Sequence, residues 1–502
     1  MNVAFQPQQG LISDDTTFNE PGRWLNSSLI RFYNGSWQTK GGWESLTLQL
    51  LKGVCRSCLA WTDFTDVLAV AFGLHNGCQV WRDSLIYDVT PTPWTDGQID
   101  GTGGRGYGTG AYGVGNYGVE SATEYWPLTW SLATWGDLLM ANPRNRGIYQ
   151  WDGSASTKLV LVSGAPAQVT YMVVAPQRQA LAFGCNEEVS GVFNPLCIRW
   201  SDIEDNTDWS TLPSNNAGEY ILEGFGRIVC ARVMGDYILV WTAVDLFLGT
   251  FLGNPNQTWK FEKIGNNCGS LSPGSPVVKN LNAMWIAQDL TVWTYSLGGA
   301  PQQIVCPIRS MFLDHITPGQ TDKVVASATS SFQEMGWFYP DDRDGFECSR
   351  QICVGPDGWN RDLLPRTAWI DAGPQFNPIG VTPGGNVYLH EKGNSADGGA
   401  ITGFIESADF YLSEADGGLM VNGMWPDFKN QQGAVNMTLY LRDHPQAAVV
   451  RTYGPYALLP NQERKAFRAA GRIARLRFDF SSGPVYVRGG KPEFDVSPIG
   501  GR

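Results

Sequence analysis

Charge is scarce in this chain. Only 17% of its 502 residues are Asp, Glu, Lys or Arg, and only four are histidine. Histidine is the commonest acid–base side chain near neutral pH, and with His75, His315, His390 and His444 a catalytic triad is possible but no motif supports one. No stretch approaches 18 consecutive apolar residues, and no helical membrane span is expected. The start, MNVAFQPQQGLISDD, has neither a basic segment nor an apolar core of the secretory type, and no signal peptide is expected. The ten cysteines are therefore read as reduced, mostly buried thiols. The N-x-S/T triplets at Asn26, Asn34, Asn256 and Asn436 carry no glycosylation meaning on that reading. A long 3.6-residue apolar period with helix caps is missing as well. Nor is there a G-x-S-x-G elbow, a phosphate loop or an H-E-x-x-H pair. The net charge of −12 lacks the basic footprint of a nucleic-acid binder, although it allows a surface along which DNA slides without sticking.

What is present is apolar, aromatic and rich in turn residues. Hydrophobic residues make up 43%, with 20 Trp, 23 Phe, 18 Tyr, 59 Gly and 29 Pro. This composition excludes the disordered class and suits many strands joined by tight turns. The length allows two or three domains or one large repeat array.

Residues 101–119, GTGGRGYGTGAYGVGNYGV, interrupt that pattern. Glycine offers nothing to bury there and loses the most entropy on ordering. The run reads as a long exposed loop, with Tyr107, Tyr112 and Tyr117 as rigid amphipathic contact groups for assembly.

In residues 20–48, Leu29, Ile30 and Phe32 form a short strand, and Asn34-Gly35 is a strong hairpin signal before a second strand carrying Trp37. A loose unit then recurs: an apolar strand, a turn, and a strand ending in an aromatic residue. Its members hold Trp81, Trp151, Trp200, Trp241, Trp293, Tyr339 and Tyr388. Their spacings are about 70, 49, 41, 52, 46 and 49 residues, and removing the glycine-rich loop brings the first to roughly 50. A period near 50 fits propeller blades, which leave only short exposed edges. Two unrelated β-sandwiches are the alternative. From about 401 the pattern turns to plain alternation: Ala474, Leu476, Phe478 and Phe480 share one face, Arg475, Arg477 and Asp479 the other. The expected fold is all-β: N-terminal strands over 1–50, a β-propeller-like body over 51–400, and a small C-terminal antiparallel β-domain over 401–502.

Candidate chemistry is thin. Cys55 and Cys58 have C-x-x-C spacing, and His75 with Cys78 supplies a second pair on paper. Positions i and i+3 of a strand point to opposite faces, so buried thiols are the favoured reading. Asp341, Asp342 and Asp344 in PDDRDGFE are too closely spaced for an EF-hand and read as a hairpin turn. Ser201–Trp209 faintly resembles an Asp-box turn. The one basic cluster, with Arg472, Arg475 and Arg477, reads as a solvated or salt-bridged strand face, with DNA contact as the sharper alternative. No catalytic, cofactor or metal residues are assigned, and an enzyme is not expected.

Four stretches together resemble a family of phage structural proteins, the tail hub or nozzle (tail tubular) proteins of short-tailed, podovirus-like phages. They are LIRFYNGSWQTKGGW (29–43), the Tyr/Gly run at 107–118, CIRWSDIEDNTDW (197–209), and the ending AAGRIARLRFDFSSGPVYVRGGKPEFDV with Gly500-Gly501-Arg502. The match departs at Val485-Tyr486-Val487, where the family pattern has a tryptophan. The resemblance implies a propeller-like body in a homo-hexameric ring below the portal and the head-to-tail adaptor. That ring would be assembled in the host cytoplasm, form the distal DNA-ejection channel of the virion, and anchor tail fibres or tailspikes. A propeller-type tail protein that binds or cleaves glycans is the alternative.

Overall fold

The computed structural model describes residues 2–14, 22–101, 125–254, 257–412, 418–445, 447, 450–481 and 483–498. Seven four-stranded antiparallel sheets follow one another along it. The first consists of Cys55–Thr62, Leu68–Leu74, Gly77–Arg82 and Leu85–Asp88. The next five span 130–161, 169–221, 228–265, 277–304 and 325–363. The seventh takes Ala368–Ile370, Ile379–Val381 and Val387–His390, and its fourth strand is Trp43–Ser45, from near the other end of the chain. First strands of neighbouring sheets touch all the way round, and the seventh meets the first. This closed radial array is a seven-bladed β-propeller. Each of the seven repeats read from the sequence falls in one blade.

The second strand of each blade explains why the sequence shows apolar runs there rather than alternation. A blade is covered on both faces by its neighbours, so both sets of side chains are buried. In Leu68–Leu74 every residue after Leu68 is buried, and in Gln179–Asn186 every residue before Asn186 is. The cores accordingly lie between blades. Ala69, Cys78 and Val80 face the second blade; Cys55, Val70 and Phe72 face the seventh. Two tryptophans tie neighbouring blades together through their indole N–H groups, which usually find an acceptor when buried. Trp130 Nε1 donates to the Leu74 carbonyl of the first blade at 2.8 Å, and Trp369 Nε1 to the Ala328 carbonyl of the sixth at 2.8 Å.

The remaining strands build a second domain of three antiparallel sheets. Here pairing crosses the division expected at residue 50. Asn2–Ala4 pairs with Glu493–Pro498, Trp24–Ser28 with Gly403–Ser407, and Ser36–Thr39 with Tyr486–Gly489. The N-terminal strands thus fold into the C-terminal domain, while Trp43–Ser45 alone enters the propeller. The Asn34-Gly35 hairpin forms as read: Tyr33 pairs with Ser36, and both turn residues have positive φ, 52° and 72°, the type I′ signature. An aromatic core holds the sheets together. Trp37 stacks on Phe478 at 5.8 Å and packs edge-on against Phe428 and Trp24. The strand Ile473–Phe480 buries Ala474, Leu476, Phe478 and Phe480 on one face, as the alternation predicts.

A buried ionic seam joins the two domains. Arg31, from the strand Ile30–Tyr33, bonds Glu334 of the sixth blade at 3.0 Å, and Glu391 beyond the seventh blade at 2.9 Å. Burial alone would lower its pKa, but Glu334 and Glu391 outweigh that and hold the guanidinium charged. Lys40 Nζ meets Asp362 Oδ2 at 2.5 Å, and Asp362 Oδ1 accepts the Leu29 N–H at 2.6 Å. Leu29 sits at φ 57°, a left-handed conformation costly for leucine, where the chain passes from one sheet to the next.

His390 lies beside this seam between Trp43 and Trp369, and its Nε2 accepts Arg366 Nε–H at 2.9 Å. Burial, then Arg366 and Lys40, push its pKa well below the usual imidazole value. A base with a depressed folded pKa favours folding fully above its unfolded pKa, ~6.5. That contribution is lost as pH falls from there toward the folded value, because the unfolded chain takes up the proton first. The urea midpoint is therefore expected to fall between pH 7.5 and 5.5. His75, also lowered by burial, adds in the same direction. His390→Gln should flatten the slope; an unchanged slope would assign it to other groups.

Candidate functional site

The first strands of the seven blades line a central cavity of about 550 Å³. This is the volume of a small-molecule pocket, not of a duplex channel. Arg232 fills part of it, bonding the Tyr171 hydroxyl and the carbonyls of Pro273, at 2.7 Å, and Pro276, at 3.2 Å.

One mouth of the cavity carries a cluster of ion pairs. Lys323, with no exposed side-chain surface, bonds Asp100 at 2.5 Å and Glu347 at 2.9 Å. Arg56 of the first blade clasps the same Glu347 at 2.6 and 2.7 Å, a bidentate pairing that fixes both side chains. Gly101 and Gln320 exchange two hydrogen bonds, at 3.2 and 3.0 Å. A Cβ on Gly101 would lie 3.5 Å from the Tyr125 carbonyl, so these two positions are side by side. Trp126 is held between two guanidinium groups, Arg144 and Arg227, each 4.7 Å from a ring centroid. The roots of the glycine- and tyrosine-rich segment are thus pinned at this mouth by Arg144 of the second blade, by Arg227 just before the fourth, and by Gln320 and Lys323 just before the sixth. Tyr107, Tyr112 and Tyr117, the expected contact residues, lie outside the described residues, as do Gly500, Gly501 and Arg502.

The basic strand face is an ion-pair network. Arg475 bonds Asp409 at 2.9 Å and Glu406 at 3.3 Å. Arg477 bonds Glu406 at 2.9 Å and Asp479 at 2.8 Å, and Arg442 reaches Asp409 at 3.5 Å. Three arginines meet three carboxylates, so the face offers no net positive charge at Arg475 and Arg477. Arg472 stands over the Tyr411 ring at 5.6 Å.

Cys55 and Cys58 do not face opposite ways: a bulge between Cys55 and Ser57 shifts the register, so both pack on the side toward the seventh blade, while Cys78 faces the second. Burial drives the Cys55 and Cys78 thiols up, Cys55 to about 12. His75 Nδ1 accepts the Val54 N–H at 3.0 Å. Among the described residues no group of three or more His, Cys, Asp or Glu is placed to hold a metal ion. The PDDRDG segment is a turn whose carboxylates are bound by protein: Asp341 by Arg343 at 2.7 Å and Arg350 at 3.2 Å, Asp344 by Arg350 at 2.7 Å. Asp205 accepts the N–H and hydroxyl of Thr207, at 2.8 and 2.6 Å, making a turn in the Ser201–Trp209 segment.

No family profile and no curated protein matches this chain. Solved structures do resemble it in fold. One is the WD40 β-propeller domain of Doa1, with TM-score 0.42 and 11% identity, covering 69% of this chain and 96% of that one. Another is BBS1N in complex with ARL6DN, with TM-score 0.40 and 10% identity, covering 70% and 98%.

Proposed function

We propose that this chain is a structural, non-enzymatic tail component of a short-tailed phage. It is a hub or nozzle that six copies close into a ring at the distal end of the DNA channel, docked on the adaptor and holding fibres or tailspikes. The observation that carries the reading is how two stretches bearing the family resemblance fold. Residues 29–43 and the closing strands pair directly, Trp37 with Gly489 and Gln38 with Arg488. A Cβ on Gly489 would fall 2.0 Å from the Trp37 ring, so that glycine is needed for the contact. The ionic seam ties the propeller to the second domain, the kind of link a ring under ejection load requires. The bore within one propeller is too small for a duplex, so DNA passes between the copies, along the axis of the ring.

Light scattering on the full chain, at several concentrations and with co-expressed adaptor, tests this. The expected result is a mass six times that of the protomer, alone or on the adaptor. A monomer throughout, with no adaptor binding, would overturn the reading, and glycan binding by that monomer would favour the glycan-binding alternative.

A further inference from the structure

The turn between the second and third strands of the second blade, residues 143–147, lies beside the pinned mouth and is itself held rigidly. Arg144 N–H donates to the Thr129 carbonyl at 3.0 Å and Asn145 N–H to the Val169 carbonyl at 2.8 Å. The Arg146 carbonyl accepts both Val169 N–H and Asn142 Nδ2–H, each at 2.9 Å. Asn145 takes the left-handed conformation, φ 60°, which asparagine tolerates. Two arginines two residues apart therefore project from a fixed backbone.

Both line a cavity of about 320 Å³, together with Asp96, Gln98 and Trp126. Arg144 is 95% buried, with 5% of its surface exposed. Its Nη1 reaches Asp322 at a long 3.3 Å, whereas Nε and Nη2 are buried with no acceptor. Arg146 stacks on Trp94 at 4.3 Å and has no carboxylate within ion-pair distance among the described residues. Buried guanidinium donors without acceptors are costly. A planar donor fork is also the group best matched to a tetrahedral or planar oxyanion.

We propose that Arg144 and Arg146 form a binding site for an oxyanion, a phosphate or carboxylate group, in the cavity at the mouth of the propeller. The free N–H groups of Arg144 supply the inner contacts. Arg146 closes the site from the outer side of the turn, and Trp126 walls it. This inference is independent of the ring reading.

The test is calorimetric titration of the full-length protein with inorganic phosphate, and separately with acetate, at ionic strength fixed by chloride. Saturable phosphate binding is expected, weakened at least tenfold in Arg146→Gln, which breaks no ion pair among the described residues. Phosphate should also raise the melting temperature of the parent protein and not that of the variant. Saturation by acetate alone, with the same sensitivity to Arg146→Gln, would support the site in its carboxylate form. Non-saturable heats, or equal affinity in parent and variant, would overturn it.

Discussion

Asp362→Ala is expected to lower the stability of the whole chain by about 3–5 kcal/mol, the usual cost of stranding one partner of a buried ion pair. Asp362 has no exposed side-chain surface, and it holds two groups at once. Its removal leaves the Lys40 ammonium buried, where burial alone lowers the pKa that Asp362 otherwise holds up. It also frees the Leu29 N–H, the bond that helps keep a leucine at positive φ. Equilibrium urea unfolding measures the loss. Asp362→Asn keeps an oxygen for Leu29 but not the charge, so it should fall between the parent and the alanine variant. The pair Lys40→Met with Asp362→Leu should recover most of the loss, because a buried ion pair is commonly replaceable by packed apolar groups. If Asp362→Ala costs less than 1 kcal/mol, the seam is wet and does not join the domains as described.

These charges show where sequence reading stops. Arg31 lies between Ile30 and Phe32, and strand alternation assigns it to the face opposite the core, which in isolation means solvent. Its partners, Glu334 of the sixth blade and Glu391 just past the seventh, lie 303 and 360 residues away, and nothing local marks them. Arg475 and Arg477 were legible as a shared face, and their salt-bridged state was one of two readings; the deciding residues, Glu406 and Asp409, sit on other segments. The propeller was legible because each blade repeats its own strand–turn–strand pattern within a short window. Blade number was not. The first spacing is stretched by the glycine-rich insertion, and the seventh blade is completed by Trp43–Ser45, more than 300 residues upstream of its partner. The second domain was half visible for the same reason: its alternating C-terminal strands were plain, but their N-terminal partners carried no sign of where they pair. Arg144 and Arg146 had no signal at all, since two arginines in a turn are ordinarily solvated.

Glu44→Pro is expected to open the propeller at a single seam. The neighbouring N–H groups point away from the seventh blade: Trp43 donates to the Ser395 carbonyl and Ser45 to Asp397 Oδ1, each at 3.0 Å. Successive N–H groups of a strand alternate in direction, so Glu44 directs its N–H toward Leu389, its register partner. Proline removes that donor and leaves an acceptor unpaired, a loss of about 1–3 kcal/mol. The effect should be local in place but large in exchange. The closing strand secures the blade that covers Cys55, Val70, Phe72 and Leu74 through Ile379, Val381 and Val387. Hydrogen exchange over Ile379–Val381 and Cys55–Thr62 should therefore speed up about tenfold or more, since 1.4 kcal/mol is a factor of ten. The fourth blade, on the far side of the ring, should keep its protection. Equal loss in every blade would mean that the ring opens as one unit. An unchanged pattern would mean that packing between the first and seventh blades holds without the strap. Because the strap follows Lys40 by only three residues, Asp362→Ala should raise exchange at the same two strands. That shared readout ties ring closure to the seam between the domains.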